Sequence, residues 1–439
     1  MLGLALVLRV ALWLSAWAIA GDTTVFHVAD TGSYVPLAEE MLRSGTFSSG
    51  GQPHLFRTPG YPLFLVPGVW SGHLEGVTLF LQVLLSVATV WLVSEIAWDI
   101  AGSEPVRLLA ALLYAGEPLS VMYSVVLLTE TLFTATTAAF LWALARHCRT
   151  GSWRWLALSG GFLVLSAYVR PISYYLPIPV GLGLICWWFL KGRRSWRMVV
   201  HGFAFAVACS LVIGLWQARN AAQTGFGGMS SVSVINLYYY HAVPILAREQ
   251  GRPFLEVLTE EGFYQPADYF QRYPEQRDWT ISARLEFLRK RAVRKILDNP
   301  GTFIPLYLKG VIRTLANPGA AQLVELLSVD PMRDVLDSVV DEGIAGPLGS
   351  ILRGRPLQFA LMLLLGGILV QYYIAGTWAL WRARDARSGL VLALLVAAYF
   401  VAISGGVSAS SRFRHPIMPM LAVIAAVGYG EMMARARRP

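Results

Sequence analysis

The sequence predicts an all-α polytopic membrane protein, a bundle of about ten transmembrane helices with interfacial helices in two large extracytoplasmic loops. Three observations predict it. Of 439 residues, 55% are hydrophobic and only 14% charged, against about 25% charged in a typical soluble domain. Apolar runs long enough to cross a bilayer recur along the chain. Basic residues cluster between alternate runs rather than along one face. The composition excludes a soluble enzyme, a disordered chain and a disulfide scaffold. Cys148, Cys186 and Cys209 are scattered, and read as small apolar packing residues.

Crossing a hydrocarbon core of about 30 Å takes roughly 20 helical residues. Candidate spans run 2–20, 76–98, 107–123, 126–145, 155–169, 171–190, 198–216, 357–380, 388–405 and 415–434. Ten spans put both termini on one side. Under that count Arg146, Arg149 and Arg154, then Lys191, Arg193, Arg194 and Arg197, then Arg382, Arg384 and Arg387, and finally Arg435, Arg437 and Arg438 share one face. An excess of Lys and Arg marks the cytoplasmic side. The net charge of +9 is therefore largely a topology signal, and no nucleic-acid partner is expected. Ala18-Ile19-Ala20 resembles a cleavage site, but Arg9 sits within the first apolar run and no basic residue precedes it, so this run reads as a retained helix.

Three parts follow: 1–216 as an N-terminal membrane module that includes an outer loop at about 21–75, 217–356 as a large outer loop, and 357–439 as the C-terminal spans. In the first loop Tyr34, Leu37, Ala38, Met41 and Leu42 recur at helical spacing, and Gly45 stops them. A short helix on the membrane surface is expected there. Asp30 stands at its start, where Asp is a favoured N-cap and suits the positive end of the helix dipole. The stretch Phe56-Arg57-Thr58-Pro59-Gly60-Tyr61-Pro62 reads as a rigid turn before the second span.

Ionisable groups within or at the ends of spans are costly, so they are functional candidates. Asp30, Glu117, Glu130, Arg170, Arg219, Arg412 and Arg414 all fall at the outward face in this topology. Carboxylates gathered with arginines suit an anionic ligand that reacts with a hydroxyl. Arginine holds phosphate with bidentate, charge-assisted bonds, and a carboxylate serves as general base. Simple ion pairing, or arginines reaching to headgroups, is the alternative. His415 reads as a hydrogen-bonding interface residue. Glu95, Asp99 and Glu431 lie near the opposite face and read as structural pairs.

The second loop holds more than half of the acidic residues. Residues 284–297 read as an amphipathic helix with a basic face formed by Arg289, Lys290, Arg291, Arg294 and Lys295. The stretch 302–316, carrying Lys309 and Arg313, reads as interfacial. Asn236-Leu237-Tyr238-Tyr239-Tyr240-His241 offers amide, aromatic and imidazole groups suited to sugar binding, or else an interfacial aromatic patch.

Taken together these motifs resemble GT-C glycosyltransferases, in the branch of protein O-mannosyltransferases and lipid A aminoarabinose transferases. Asp30 followed by Tyr34-x3-Ala38 looks like their first outer loop. Arg57-Thr58-Pro59-Gly60-Tyr61-Pro62-Leu63 looks like the turn before their second span. Thr129-Glu130-Thr131-Leu132-Phe133 resembles their acidic position after the third span. Arg170-Pro171, Arg219-Asn220 and Arg414-His415-Pro416 fall at recurring positions. The resemblance runs from residue 1 to about 240 and returns near 410.

The resemblance implies an inverting transferase that takes sugar from a polyprenyl-phosphate-linked donor, in a bacterial plasma membrane with the site extracytoplasmic. Asp30 would be the general base, and Glu130 would orient the acceptor. Arg412 and Arg414, then Arg170 and Arg219, would hold the donor phosphate. Tyr34, Arg57, Glu117, Asn236, Tyr239, His241 and Lys309 complete the expected substrate-binding set. A glycan or glycolipid is the expected acceptor. Asp30 is followed by Thr31 where many relatives carry Asp-Glu, and the chain is shorter than relatives with a separate soluble C-terminal domain; both leave the acceptor class open, and a protein acceptor is not favoured. No metal is expected, because no His/Asp/Glu cluster has ligand spacing. The competing readings are a lipid-linked-sugar flippase, which would show inverted repeats and groups at mid-membrane, and a polymerase or ligase of lipid-linked glycans.

Overall fold

A computed structural model of the protein describes residues 1–190, 196–327, 356–383 and 387–436. The predicted basic positions Lys191, Arg193, Arg194, Arg384, Arg437 and Arg438, and residues 328–355 of the second loop, lie outside them. Helix α1 (Leu2–Ala20) leads into the first loop, which holds α2 (Thr31–Ser44), a hairpin of β1 (Ser48–Ser49) and β2 (Gln52–Pro53), and α3 (Gly60–Ser71). Then come α4 (Leu74–Ala101), α5 (Glu104–Ala115), α6 (Pro118–Tyr123), α7 (Glu130–Thr150), α8 (Trp153–Val169), α9 (Pro177–Leu190) and α10 (Trp196–Thr224). The second loop contains α11 (Val232–Asn236), a π-helical turn (Leu237–Ala242), α12 (Val243–Gln250), α13 (Phe254–Glu260), α14 (Pro266–Arg272), α15 (Ile281–Asp298), α16 (Pro300–Ala316) and α17 (Ala320–Leu327). Helices α18 (Pro356–Arg382), α19 (Arg387–Ile403) and α20 (Met418–Ala436) close the chain, with a 3-10 segment Ser411–Ile417 before the last.

The protein is all-α but for the two-residue strands, as the composition implied. Among the described residues five helical segments are long and apolar enough to cross a membrane: Leu2–Ala20, Leu74–Ala101, Val199–Thr224, Phe359–Arg382 and Ser411–Ala436. The other expected spans are shorter or more polar.

One expected span is broken. Residues 107–123 form α5 and α6, separated at Gly116-Glu117-Pro118. Proline has no N–H to donate and disfavours helical backbone at the residue before it; Glu117 accordingly sits at φ −68, ψ 120. The break frees carbonyls in an apolar interior, where they must find partners. Arg9 of α1, fully buried, supplies them: it donates to Ala115 O at 3.1 Å and also to Ser86 Oγ at 2.6 Å and Ser120 Oγ at 2.9 Å. Gln82 of α4 does the same for the non-helical stretch before α7, donating to Val126 O at 2.8 Å while accepting from Tyr61 OH at 3.0 Å.

The stretch expected to be only a turn at 56–64 continues into α3. Pro59 stands at its N-cap and Pro62 in its first turn, where a missing N–H costs nothing. Gly60 lets this helix start press on the end of α8: a Cβ there would lie 2.7 Å from Tyr168 O. Thr58 Oγ1 donates to Val169 O at 3.0 Å across the same contact.

The second loop has its own core, which the sequence reading did not foresee. Tyr238, Tyr239, Val243, Leu258, Tyr269, Tyr273, Leu285, Leu288 and Ala292 pack together. Helix α15 buries Leu285, Leu288 and Ala292 and exposes Arg289, Lys290 and Arg294 as its pattern implied, whereas Arg291 of the expected basic face is half-buried on Glu261 and Leu297 is exposed.

Candidate active site

The first loop is tied to the start of α7 by backbone bonds. Leu127 N–H donates to Phe26 O, and Thr31 Oγ1 donates to Leu127 O, both at 2.9 Å. These bonds bring Asp30, at the start of α2, beside Glu130, at the start of α7. Local sequence favours Asp30 as a cap, yet its carboxylate makes no hydrogen bond to the helix. Arg57 Nη2 binds Asp30 Oδ1 at 2.6 Å, and Arg412 Nη1 binds Oδ2 at 2.7 Å. Arg412 Nε binds Glu130 Oε1, and Arg170 Nη1 binds the same oxygen at 2.8 Å. The result is a ladder, Arg57–Asp30–Arg412–Glu130–Arg170, that draws each member from a different element.

The two carboxylates differ in access. Asp30 is 31% exposed at its side chain and Glu130 is 0% exposed. Burial pushes the Asp30 carboxyl up, but the Arg412 and Arg57 guanidiniums outweigh it and hold it down at about 2. Asp30 is thus fully ionised near neutral pH with both oxygens occupied. The expectation that Glu130 orients the acceptor is not met by its position: a side chain closed to solvent cannot meet an incoming hydroxyl. It anchors two arginines instead. Arg170 lies between the Phe133 and Phe413 rings, at 5.5 and 5.8 Å from their centres. Its Nε and Nη2, and Nη2 of Arg412, have no partner among the described residues.

Arg57 is a fixed part of this arrangement. Its Nε donates to Ser33 Oγ at 2.9 Å and its Nη1 to Tyr34 OH at 3.1 Å. The guanidinium lies over the Tyr34 and Phe56 rings at 4.5 and 4.6 Å. Its backbone N–H donates to His54 Nε2 at 3.0 Å. Burial, with Arg57 and Arg219 nearby, lowers His54 to about 4, which keeps that nitrogen free to accept.

Several expected site residues are elsewhere. Arg414, fully buried, donates to the carbonyls of Thr314 at 2.9 Å and Asn317 at 2.5 Å, so it closes the C-terminus of α16 and does not reach the ladder. Arg219 donates to Phe47 O at 2.7 Å and His54 O at 3.2 Å, bracing the hairpin. Glu117, buried, caps α6 by accepting from Ser120 N–H at 2.6 Å. Tyr239 is buried and donates to Glu261 O at 3.1 Å rather than presenting itself to a sugar. His241 packs against Phe303 and Tyr307 of α16. Asn236 is exposed and Lys309 half-buried, and neither touches the ladder.

Two contributors escaped the sequence reading, Ser33 and Thr129, and a third, Tyr240, stood only within the aromatic stretch suited to sugar binding. Ser33 Oγ donates to Asp30 O at 2.6 Å and receives Arg57; its place three residues after Asp30 was the available signal. Thr129 Oγ1 donates to the second oxygen of Glu130 at 3.2 Å. Tyr240 is half-buried against Phe263 and has no hydrogen-bond partner among the described residues; burial, more than the Tyr264 phenol or the Asp30 charge, pushes its phenol up. A period of 3.6 does not single it out, because Leu237–Ala242 is π-helical.

Residues 70–216 match the family model described as dolichyl-phosphate-mannose-protein mannosyltransferase. No curated protein matches the chain. Among solved structures, the oligosaccharyltransferase AglB of Archaeoglobus fulgidus, in complex with an inhibitory peptide and a dolichol-phosphate, superposes on 98% of this chain and 50% of its own, with a TM-score of 0.50 and 12% identity. This is the GT-C fold. A second AglB structure, tethered to an acceptor peptide, gives a TM-score of 0.50 at 11% identity. ArnT of Cupriavidus metallidurans bound to undecaprenyl phosphate covers 98% of this chain and 76% of its own at 15% identity, but its TM-score of 0.42 is too low to carry an argument. The chain spans half the length of the AglB structures it matches. The family match includes Glu130 and Arg170, whereas Asp30, Arg57 and Arg412 lie outside it.

Proposed function

We propose that the chain is a membrane glycosyltransferase that moves a sugar from a polyprenyl-phosphate-linked donor to an acceptor hydroxyl at the outward face of the membrane. The observation that carries this reading is the ladder: two carboxylates of unequal access, with arginine N–H groups left unpaired beside them. The dolichol-phosphate in an AglB structure of the same fold supports a lipid phosphate as the donor's leaving group. The ladder end is assigned to the outward face because Arg146 and Arg149 stand at the other end of α7.

Arg412 and Arg170 receive the donor phosphate through their free N–H groups. Asp30 takes the proton from the acceptor hydroxyl as that oxygen attacks C1 of the sugar. The bond from C1 to the phosphate oxygen breaks with its electron pair left on the phosphate, where the arginines meet the growing charge. Phosphate is a good leaving group, so no general acid is called for, and attack opposite the departing phosphate inverts C1. Tyr240, whose hydroxyl has no partner among the described residues, would meet the acceptor in this reading.

The test is transfer by the purified protein in nanodiscs, supplied with a panel of radiolabelled polyprenyl-phosphate monosaccharides and a crude envelope extract. Label leaving the lipid for an extract component is the expected result. Label that crosses the bilayer while still on its lipid would overturn the transferase in favour of a flippase.

A further inference from the structure

We propose that Asp30 is masked in the donor-free protein, with Arg57 its permanent partner and Arg412 an exchangeable one that the donor's phosphate draws away. This rests on the reading that a lipid phosphate binds beside the ladder. The support is an asymmetry between the two arginines that hold one carboxylate. Arg57 belongs to the same loop as Asp30, bonds through its other two nitrogens to Ser33 and Tyr34, and is packed on two rings. Nothing in that set is free to leave. Arg412 comes from the far end of the chain, bridges Asp30 and Glu130, and shares Glu130 Oε1 with Arg170; its Nη2, like Nε and Nη2 of Arg170, has no partner among the described residues.

A phosphate offers more acceptor oxygens than one carboxylate oxygen does, and guanidinium groups bind it bidentately. When it docks between Arg412 and Arg170, Arg412 turns toward it and the bond to Asp30 Oδ2 is given up. Glu130, closed to solvent, keeps its hold on Arg412 Nε and stops that side chain from swinging away. Oδ1 stays on Arg57. The atom that receives the acceptor proton is therefore Oδ2, and it becomes available only after the donor is seated. Donor binds first and acceptor second, so no acceptor is activated over an empty site.

The experiment needs no sugar and no acceptor. Undecaprenyl phosphate is titrated into the full chain in nanodiscs, comparing wild type with Asp30→Asn. Because Asp30 competes for Arg412, removing its charge should tighten binding by roughly tenfold, the scale of one charge-assisted hydrogen bond. In an Arg412→Gln background the same substitution should change nothing; in an Arg57→Gln background it should still tighten. Asp30→Ser supplies a second charge-removing variant, and thermal unfolding of each protein checks its fold. Equal or weaker binding by Asp30→Asn overturns the proposal, and so does tightening that persists without Arg412, which would reveal only a general charge effect. If wild type and variants all fail to bind undecaprenyl phosphate, the donor assignment itself falls, and the masking of Asp30 falls with it.

Discussion

Helix α7 carries an ion cluster at each end, and the two clusters have the same composition. At its start are Asp30 and Glu130 with Arg57, Arg170 and Arg412. About 28 Å away along the helix, at its end, are Glu95 and Asp99 with Arg107, Arg146 and Arg149. In the second cluster Glu95 and Asp99 are one helical turn apart on α4, and Arg146 and Arg149 one turn apart on α7. Arg146 bridges the two carboxylates at 2.5 and 2.6 Å. Both carboxylates are nearly closed to solvent. This is a brace between two helices that already pack, as the sequence reading of Glu95 and Asp99 expected. In the first cluster no two members share an element, every member sits at a helix end or in a turn, and one carboxylate is open. Identical groups therefore stand in different settings: regular spacing along packed helices locks charges in place, whereas convergence from loop ends is the arrangement that the proposed exchange of partners requires.

Changes made in matching positions should separate the two. Asp30 aside, the largest effect belongs to Glu130→Gln, which removes the anchor that two arginines share. Transfer should fall by roughly a hundredfold, with weaker donor binding; measured rates within a fewfold of wild type would move the phosphate site off Arg412 and Arg170. Asp99→Asn in the other cluster should leave transfer per folded molecule unchanged within about twofold. It should cost about 3 kcal/mol of stability, because Arg146 and Arg149 lose a buried partner. Thermal unfolding beside the transfer assay reads both numbers.

Arg414→Ala sharpens the same distinction within one short segment. It should lower the melting temperature through unsatisfied carbonyls at the end of α16, about 2 kcal/mol, and leave the donor affinity of the folded protein as it was. Weakened donor binding at unchanged stability would return Arg414 to the site. Arg412 and Arg414 show where sequence legibility ends. Both are arginines near one membrane face, and nothing in composition ranks them. They fall on a 3-10 turn, where residues two apart point about 120° apart, so one reaches Asp30 and the other reaches α16.

The smallest effects concern the edge of the site. Tyr240→Phe should raise the acceptor KM a fewfold with little change in kcat, as loss of a single neutral hydrogen bond does; an unchanged KM would remove Tyr240 from the acceptor path. Acid titration probes the ladder itself. The Asp30 carboxyl lies at about 2, below its ordinary 3.8. Its contribution to stability is therefore complete above about pH 4 and lost as pH falls towards 2. Asp30→Asn should flatten unfolding curves in that window and nowhere above it.

Much of the bundle was legible because apolar length is a local property: α1, α4 and α18 lie close to where their apolar runs put them. The break at Gly116-Glu117-Pro118 was spelled out in the sequence but overruled by the count of apolar residues around it. The ladder was legible only in part. Asp30, Glu130, Arg170 and Arg412 share a depth in the expected topology, which brought them forward together. Their actual pairing depends on contacts across the whole chain, with Arg412 meeting Asp30 only once α20 packs. The cap reading of Asp30 failed for the same reason: it weighed the helix beside Asp30 and not the two arginines that fold onto it.

The most direct measurement sets the two open questions side by side: transfer from a labelled polyprenyl-phosphate sugar by Asp30→Asn and by Asp99→Asn, each normalised to folded protein. A base at Asp30 predicts a loss of about a thousandfold for the first and none for the second. Equal activity in both variants would contradict the account, leaving the Asp30 ladder a second brace like the one at the other end of α7.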